Sequence, residues 1–185
     1  MRVIAALLPV CFIAACGAAD LRATDVEGAE HRLTGPGRKA TVLIFSSHEC
    51  PISNSYAPQI NELCETYARR GVEFYVVQVD PDLSREQARQ HAADYGYRCP
   101  VLLDPQHVLV NRVRATTTPE AAMLSPNGRL LYLGRIDDRY VDLGKRRAQP
   151  TVRDLREAIE AVLDGEPVPN STTVAVGCPI PSLKD

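Results

Sequence analysis

The 185-residue sequence contains no apolar stretch of the roughly 20 residues that a membrane-crossing helix needs; its longest run is Val3 to Ala15. The mature protein is therefore expected to be soluble, or held to a membrane only by a lipid. No charge of either sign dominates, since 21 Lys and Arg against 23 Asp and Glu leave a formal net charge of -2. That balance removes any bulk electrostatic case for nucleic acid or an anionic membrane surface as partner. Internal repeats and low-complexity tracts are also absent. What remains is the length and composition of one globular domain plus a removable leader.

The leader is residues 1–19. Arg2, the apolar run and the small residues before Asp20 read as an export signal, which predicts an exported protein. Ile13-Ala14-Ala15-Cys16 resembles the lipobox of bacterial lipoproteins, so Cys16 is a candidate acylated residue, with plain cleavage near Ala18 or Ala19 as the alternative. The expected location is periplasmic or membrane-anchored through Cys16. Cys11 leaves with the leader, and Cys50, Cys64, Cys99 and Cys178 remain. Four thiols in an oxidising compartment allow three disulfide pairings.

Along residues 20–165 the pattern is that of an α/β domain. A leading hairpin is expected around Glu27-Gly28. Thr41–Phe45 reads as a buried strand, and Tyr56, Ile60, Leu63, Cys64 and Tyr67 mark the inner face of a helix that Gly71 closes. Val72–Val79 is a second buried strand, Ser84 with Gln87 a capping box, and Val101–Leu103 a third strand. Residues 122–125 and 130–134 form a hairpin across Pro126-Asn127-Gly128, and Thr151 with Asp154 opens a last helix that stops at Gly165. The order βαβαβ then ββα predicts a central mixed sheet flanked by helices. Residues 166–185 form a tail carrying Cys178.

Cys50 follows a buried strand and precedes a helix that Pro51 can open, a position where free backbone N–H groups favour a thiolate. His48 is a candidate proton carrier, while Glu49 opposes the thiolate. Charged residues crowd Arg135–Arg147, which reads first as a solvated loop, and second as a flank of the cysteine whose cations select an acidic partner.

Phe45-Ser46-Ser47-His48-Glu49-Cys50-Pro51-Ile52-Ser53, with Ala57-Pro58 downstream, resembles the strand, Cys-x-x-Cys and helix-proline arrangement of the thioredoxin-like superfamily. Thr118-Pro119 is similar to its cis-proline, and Gly134-Arg135-Ile136-Asp137-Asp138-Arg139-Tyr140 to a stretch of bacterial redoxin-domain proteins related to the alkyl hydroperoxide reductase and thiol-specific antioxidant group. The resemblance implies a thioredoxin-like fold, Cys50 as nucleophile, and a substrate-binding surface of Pro51, Thr118 and Pro119, to which the charged-loop reading adds Arg135. Two departures stand out. Ser53 takes the place of the second cysteine, so a dithiol cycle within one motif is excluded, and Ile44 replaces the buried acid of thioredoxins. For a peroxiredoxin, Ser47-x-x-Cys50 fits but Leu43 replaces the expected proline.

The leading functional reading is therefore an exported thiol-disulfide oxidoreductase without cofactor or metal, acting on protein or small-molecule thiols and disulfides and regenerated by a separate reductant. One alternative is binding or delivery of Cu(I) through Cys50, His48 and Cys178; another is a thiol peroxidase. Cys64 lies about 21 Å along the helix from Cys50, and Cys99 precedes a strand, so the two are expected as neighbours and as a candidate structural disulfide. Cys178-Pro179-Ile180 repeats the tripeptide at Cys50 and supplies the missing resolving thiol. The thirteen residues after Gly165 span at most roughly 43 to 47 Å, more than the helix they must retrace, and residues 172–176 are expected to return as an edge strand.

Overall fold

The computed structural model describes residues 20–183; the leader, with Cys11 and Cys16, lies outside them. The first elements are an antiparallel hairpin, β1 (Arg22–Thr24) and β2 (Glu30–Arg32), turning at Gly28 with a φ of 90°. The next strand, β3 (Ala40–Ser46), is buried along its whole length. Its side chains alternate between two cores: Val42 and Ile44 point to one face, Leu43 and Phe45 to the other. A strand read in the sequence as an unbroken apolar run is thus the middle of a sheet covered on both sides.

After Cys50 the chain forms α1 (Pro51–Ser55) and α2 (Ala57–Ala68). The expected single helix is broken at Tyr56, because Pro58 has no N–H to continue the ladder and the Tyr56 amide turns back to Ser53. Then come β4 (Val72–Gln78), α3 (Arg85–Asp94) with the expected Ser84–Gln87 capping box, and β5 (Val101–Leu103). The short helix α4 (Val108–Val113) was not expected. It has no capping side chain of its own; the Asp104 carboxylate accepts the amides of Leu109 and Val110 instead.

β6 (Thr117–Thr118), β7 (Glu120–Leu124) and β8 (Leu130–Gly134) follow, then a small hairpin of β9 (Tyr140–Asp142) and β10 (Lys145–Arg146), helix α5 (Asp154–Asp164), and β11 (Cys178–Pro179). The main sheet has the order β5-β4-β3-β7-β8, with β3, β4 and β5 parallel and β7 and β8 antiparallel. This is the α/β, thioredoxin-like architecture that the sequence predicts.

One face is covered by α2, α3 and α5 through Ile60, Leu63, Tyr67, Ala88, Leu155 and Ile159, the other by α4 through Leu109, Val110 and Val113. Each fully buried aliphatic side chain contributes about 1.5–3 kcal/mol. The start of α5 differs from expectation. Thr151 gives its amide and hydroxyl to Asp138, so it cannot cap the helix, and the Leu155 amide is met by the Ile136 carbonyl. Gly165 ends α5 at a φ of 78°, in the left-handed region.

Among the described residues no helix is long and apolar enough to cross a membrane. The tail runs back along β8, where Leu133 donates to Ser171 and Thr173 donates to Leu133. The contact is a bridge at Thr172 rather than a strand over 172–176. It continues to β11, which pairs antiparallel with β6.

Candidate active site

Register places the site at one end of the sheet. Phe45 of β3 lies opposite Glu120 of β7, so the residues after Ser46 and those before Glu120 meet at the same edge. There Cys50 caps α1: its Sγ accepts the Ser53 amide at 3.4 Å and donates to the Thr118 carbonyl at 3.1 Å. The Thr118-Pro119 bond is cis. The sulfur is almost closed off, Cys50 being 2% exposed.

The cover is the tail. In β11 Cys178 lies opposite Thr118 and Pro179 opposite Thr117, which brings the Cys178 thiol close enough to Cys50 for each to shift the other's titration. Both are free thiols. Burial pushes the Cys50 pKa up, but the Cys178 thiol, the Ser53 hydroxyl and amide and Thr118 favour the anion more, and the net shift is downward. Burial and the neighbouring Cys50 push Cys178 up to about 12. Of the two, Cys50 is thus the thiol that gives up its proton more readily and Cys178 the one that keeps it.

Ser53, at the position of the absent second cysteine, is buried; its amide donates to the Cys50 sulfur, and its hydroxyl makes no hydrogen bond among the described residues. Pro51 supplies the first residue of α1. His48 does not turn to the sulfur as its proton carrier. Its Nδ1 lies 3.0 Å from Asp80, whose carboxylate also accepts the His48 amide and the Ser47 hydroxyl. The pull of a buried carboxylate at the end of β4 explains that orientation. It also engages the serine that a peroxidase motif would aim at the cysteine.

The histidine named in the Cu(I) alternative has its Nδ1 turned to the same carboxylate. Among the described residues no group of three His, Cys, Asp or Glu side chains is arranged to hold a metal.

Arg135 is likewise placed elsewhere than on a substrate surface. Its guanidinium binds Asp154 through Nε at 2.7 Å, and its amide donates to Thr173. The loop that follows does flank the site, yet its first part is not solvated: Ile136, Asp137 and Asp138 are buried. Asp137 accepts the Tyr56 hydroxyl at 2.6 Å and Gln59 Nε2 at 2.8 Å, and Tyr140 meets Ser55 at 2.9 Å.

Sequence reasoning missed Asp80 and a second support. Gln78 Nε2 lies 3.0 Å from His91 Nδ1, His91 Nε2 lies 2.9 Å from Asn54, and the Asn54 amide donates to the His48 carbonyl. Burial, then the charge of His48, lowers the His91 pKa, so His91 is a neutral link that ties β4 and α3 to the residues before Cys50. The only signal for Asp80 was its place just past a buried strand. Cys64 and Cys99 are close enough to perturb each other's titration, and both are free thiols, so the candidate disulfide is not formed in this structure. Cys64 and burial push Cys99 up, and Cys99 lowers Cys64.

Comparison with known proteins gives the family. The chain is 32% identical over 114 residues to the thiol-disulfide oxidoreductase ResA of Geobacillus thermodenitrificans, an alignment that covers 61% of this chain and 64% of that protein. It thus spans under two thirds of the relative's length. An uncharacterized conserved protein from Geobacillus kaustophilus superimposes with a TM-score of 0.76 at 25% identity, covering 91% of this chain and 92% of that one. A hypothetical protein from Sinorhizobium meliloti gives 0.74 at 27% identity, with coverage of 88% and 91%. A secreted Mycobacterium tuberculosis disulfide oxidoreductase shares the fold, with a TM-score of 0.52 at 17% identity over 79% of this chain and 96% of that one. Residues 15–133 match the AhpC/TSA family, and with more than half its length inside that match, the chain belongs to this family, on a thioredoxin-like fold.

Proposed function

We propose that the protein is an exported thiol-disulfide oxidoreductase in which Cys50 is the nucleophile and Cys178 the resolving thiol. The observation that carries the reading is the β11–β6 pairing, which sets the Cys178 thiol against Cys50. The Cys50 thiolate attacks one sulfur of a substrate disulfide; the S–S bond breaks, and the released substrate thiolate takes up a proton. Cys178 then loses its proton and attacks Cys50 Sγ, expelling the second substrate sulfur as a thiolate. The substrate gains two electrons, and the protein ends with a Cys50–Cys178 disulfide that a dithiol reductant reopens. Pro51, Thr118 and Pro119 border the sulfur and form the substrate surface in this reading, without a role for Arg135.

Support for the resolving step is electrostatic as well as geometric. Burial is the main cause that raises the Cys178 pKa and Cys50 the second; once Cys50 is consumed in a mixed disulfide the second is removed, which favours attack. Ser53 and Thr118 are left to stabilise the Cys50 sulfur when it departs as a thiolate during regeneration.

Peptide mapping of the oxidised protein tests the reading, with a Cys50–Cys178 crosslink expected. A free Cys178 under conditions that oxidise Cys50 would overturn it. In the native host, Cys178→Ser is expected to accumulate mixed disulfides at Cys50 that identify the partner proteins.

A further inference from the structure

The backbone edge beside Cys50 already holds a ligand, which is part of the chain itself. Residues 177–180 lie along Thr116–Thr118 as a short antiparallel strand: Ile180 donates its amide to the Thr116 carbonyl at 3.0 Å, and the Thr118 hydroxyl donates to the Cys178 carbonyl at 3.4 Å. None of residues 171–183 is fully buried. A two-residue ladder with so little apolar cover opens at low cost compared with the core sheet. Upstream the tail is fixed differently, since Thr173 Oγ1 sits 2.2 Å from where a Cβ on Gly134 would lie.

The ladder also has a strict residue requirement. A Cβ on Gly177 would stand 2.1 Å from the Thr118 carbonyl oxygen and 2.7 Å from its carbon. Both are backbone atoms between β6 and the start of β7, so no side-chain rotation relieves the clash. Any strand that takes this register, placing a cysteine opposite Thr118, meets the same wall one residue earlier.

We propose that Gly177–Ile180 occupies the substrate edge at Thr116–Thr118 as a resident ligand in cis, and that the incoming substrate segment carries glycine directly before its reactive cysteine. Substrate docks by displacing the tail strand and setting its own sulfur where Cys178 stood. Main-chain hydrogen bonds to Thr116 and Thr118 supply the affinity, and the gap over the Thr118 carbonyl supplies the selection. The inference deepens the exchange reading and rests on Cys50 being the thiol that meets substrate. It does not need Cys178 to be the resolving thiol.

The test therefore uses Cys178→Ser as its reference, in the full chain. Alkylation of Cys50 by iodoacetamide is followed by peptide mapping, which separates it from Cys64 and Cys99. Adding Gly177→Val, which cannot hold the ladder, is expected to speed alkylation roughly tenfold or more by uncovering the sulfur. Ile180→Pro, which removes the amide bonded to Thr116, gives a second route to the same state should Gly177→Val fold poorly. A synthetic peptide Val-Ala-Val-Gly-Ser-Pro-Ile-Pro, copied from residues 174–181 with serine for cysteine, is expected to bind the opened protein and slow alkylation again. The same peptide with alanine for glycine is expected to give no protection. Equal alkylation in the reference and both opened variants would overturn the tail as cover. Equal protection by the two peptides, or none by either, would overturn the glycine-selective edge. The exchange reading fails by a different result, Cys50 reacting no faster than Cys64 even when opened.

Discussion

Removing the tail thiol tests resolution most directly. Cys178→Ser leaves the first step intact and deletes the second nucleophile. If the tail were an unpaired flexible tether, the thirteen residues from Gly165 to Cys178 would have an end-to-end distance of roughly 20 Å, giving an effective thiol concentration on the order of 10 mM. A small probe that leaves the tail strand paired with Thr118 keeps Cys178 confined further and its effective concentration higher. Against an external thiol at about 1 mM, resolution of a mixed disulfide in Cys178→Ser is therefore expected to be at least roughly tenfold slower than in the unaltered protein. The assay loads Cys50 with 5,5′-dithiobis(2-nitrobenzoate) in a Cys64→Ala, Cys99→Ala background, so that only the site thiols report. One thionitrobenzoate leaves when Cys50 is loaded, and a second leaves when Cys178 attacks. Cys178→Ser should stop after the first. Release of the second at an undiminished rate in that variant would refute the tail as the resolving element.

Asp138→Ala removes the acceptor for Thr151, Val152 and Arg147 at the entry to α5, and should cost about 2–4 kcal/mol in urea unfolding, the range for a lost cluster of charged hydrogen bonds. The Asp138 carboxyl is pushed up by burial but held down further by Thr151, Val152 and Arg147, to about 2, so its stabilisation is present above the usual carboxylate range and is lost as pH falls toward 2. Unfolding curves should show a shallower acid-side decline in the variant than in the unaltered protein, the remainder coming from other carboxyls held low, Asp25 and Glu160 among them. Tyr56→Phe deletes the 2.6 Å bond to the buried Asp137 and should lower stability by about 1.5–3 kcal/mol, with thermal unfolding as the check. Oxidation is expected to join Cys64 and Cys99, whose thiols already perturb each other's titration; mapping that finds both alkylated after treatment with diamide would leave them as packing residues.

The main sheet was legible because its strands obey one rule: a continuous β-branched and apolar run means burial on both faces. Ala40–Ser46 and Val72–Gln78 fell within one or two residues of expectation, and Ser84 with Gln87 announced α3 through side-chain chemistry alone. Cys50 was legible for a similar reason, since strand, cysteine and proline in sequence specify a helix start. What escaped were features whose partners are remote. α4 depends on Asp104, four residues before its first turn, and the orientation of His48 depends on Asp80, 32 residues away. Arg135 read as a substrate residue because its neighbours in sequence suggested a loop, whereas its bond is to Asp154, 19 residues on. Thr151 read as a cap for want of any sign that Asp138 would claim it.

The cover over Cys50 also fixes an order of events during synthesis. Cys50 meets Thr118 across 68 residues of chain, and Thr118 meets Cys178 across a further 60. A chain made from its N-terminus has β3, α1 and β7 in hand, and thus an open nucleophile, well before its last residues emerge. Any chain in which residues 177–180 have not yet paired with Thr116–Thr118 is therefore expected to carry the more accessible Cys50 thiol, and the pairing, once made, quiets it.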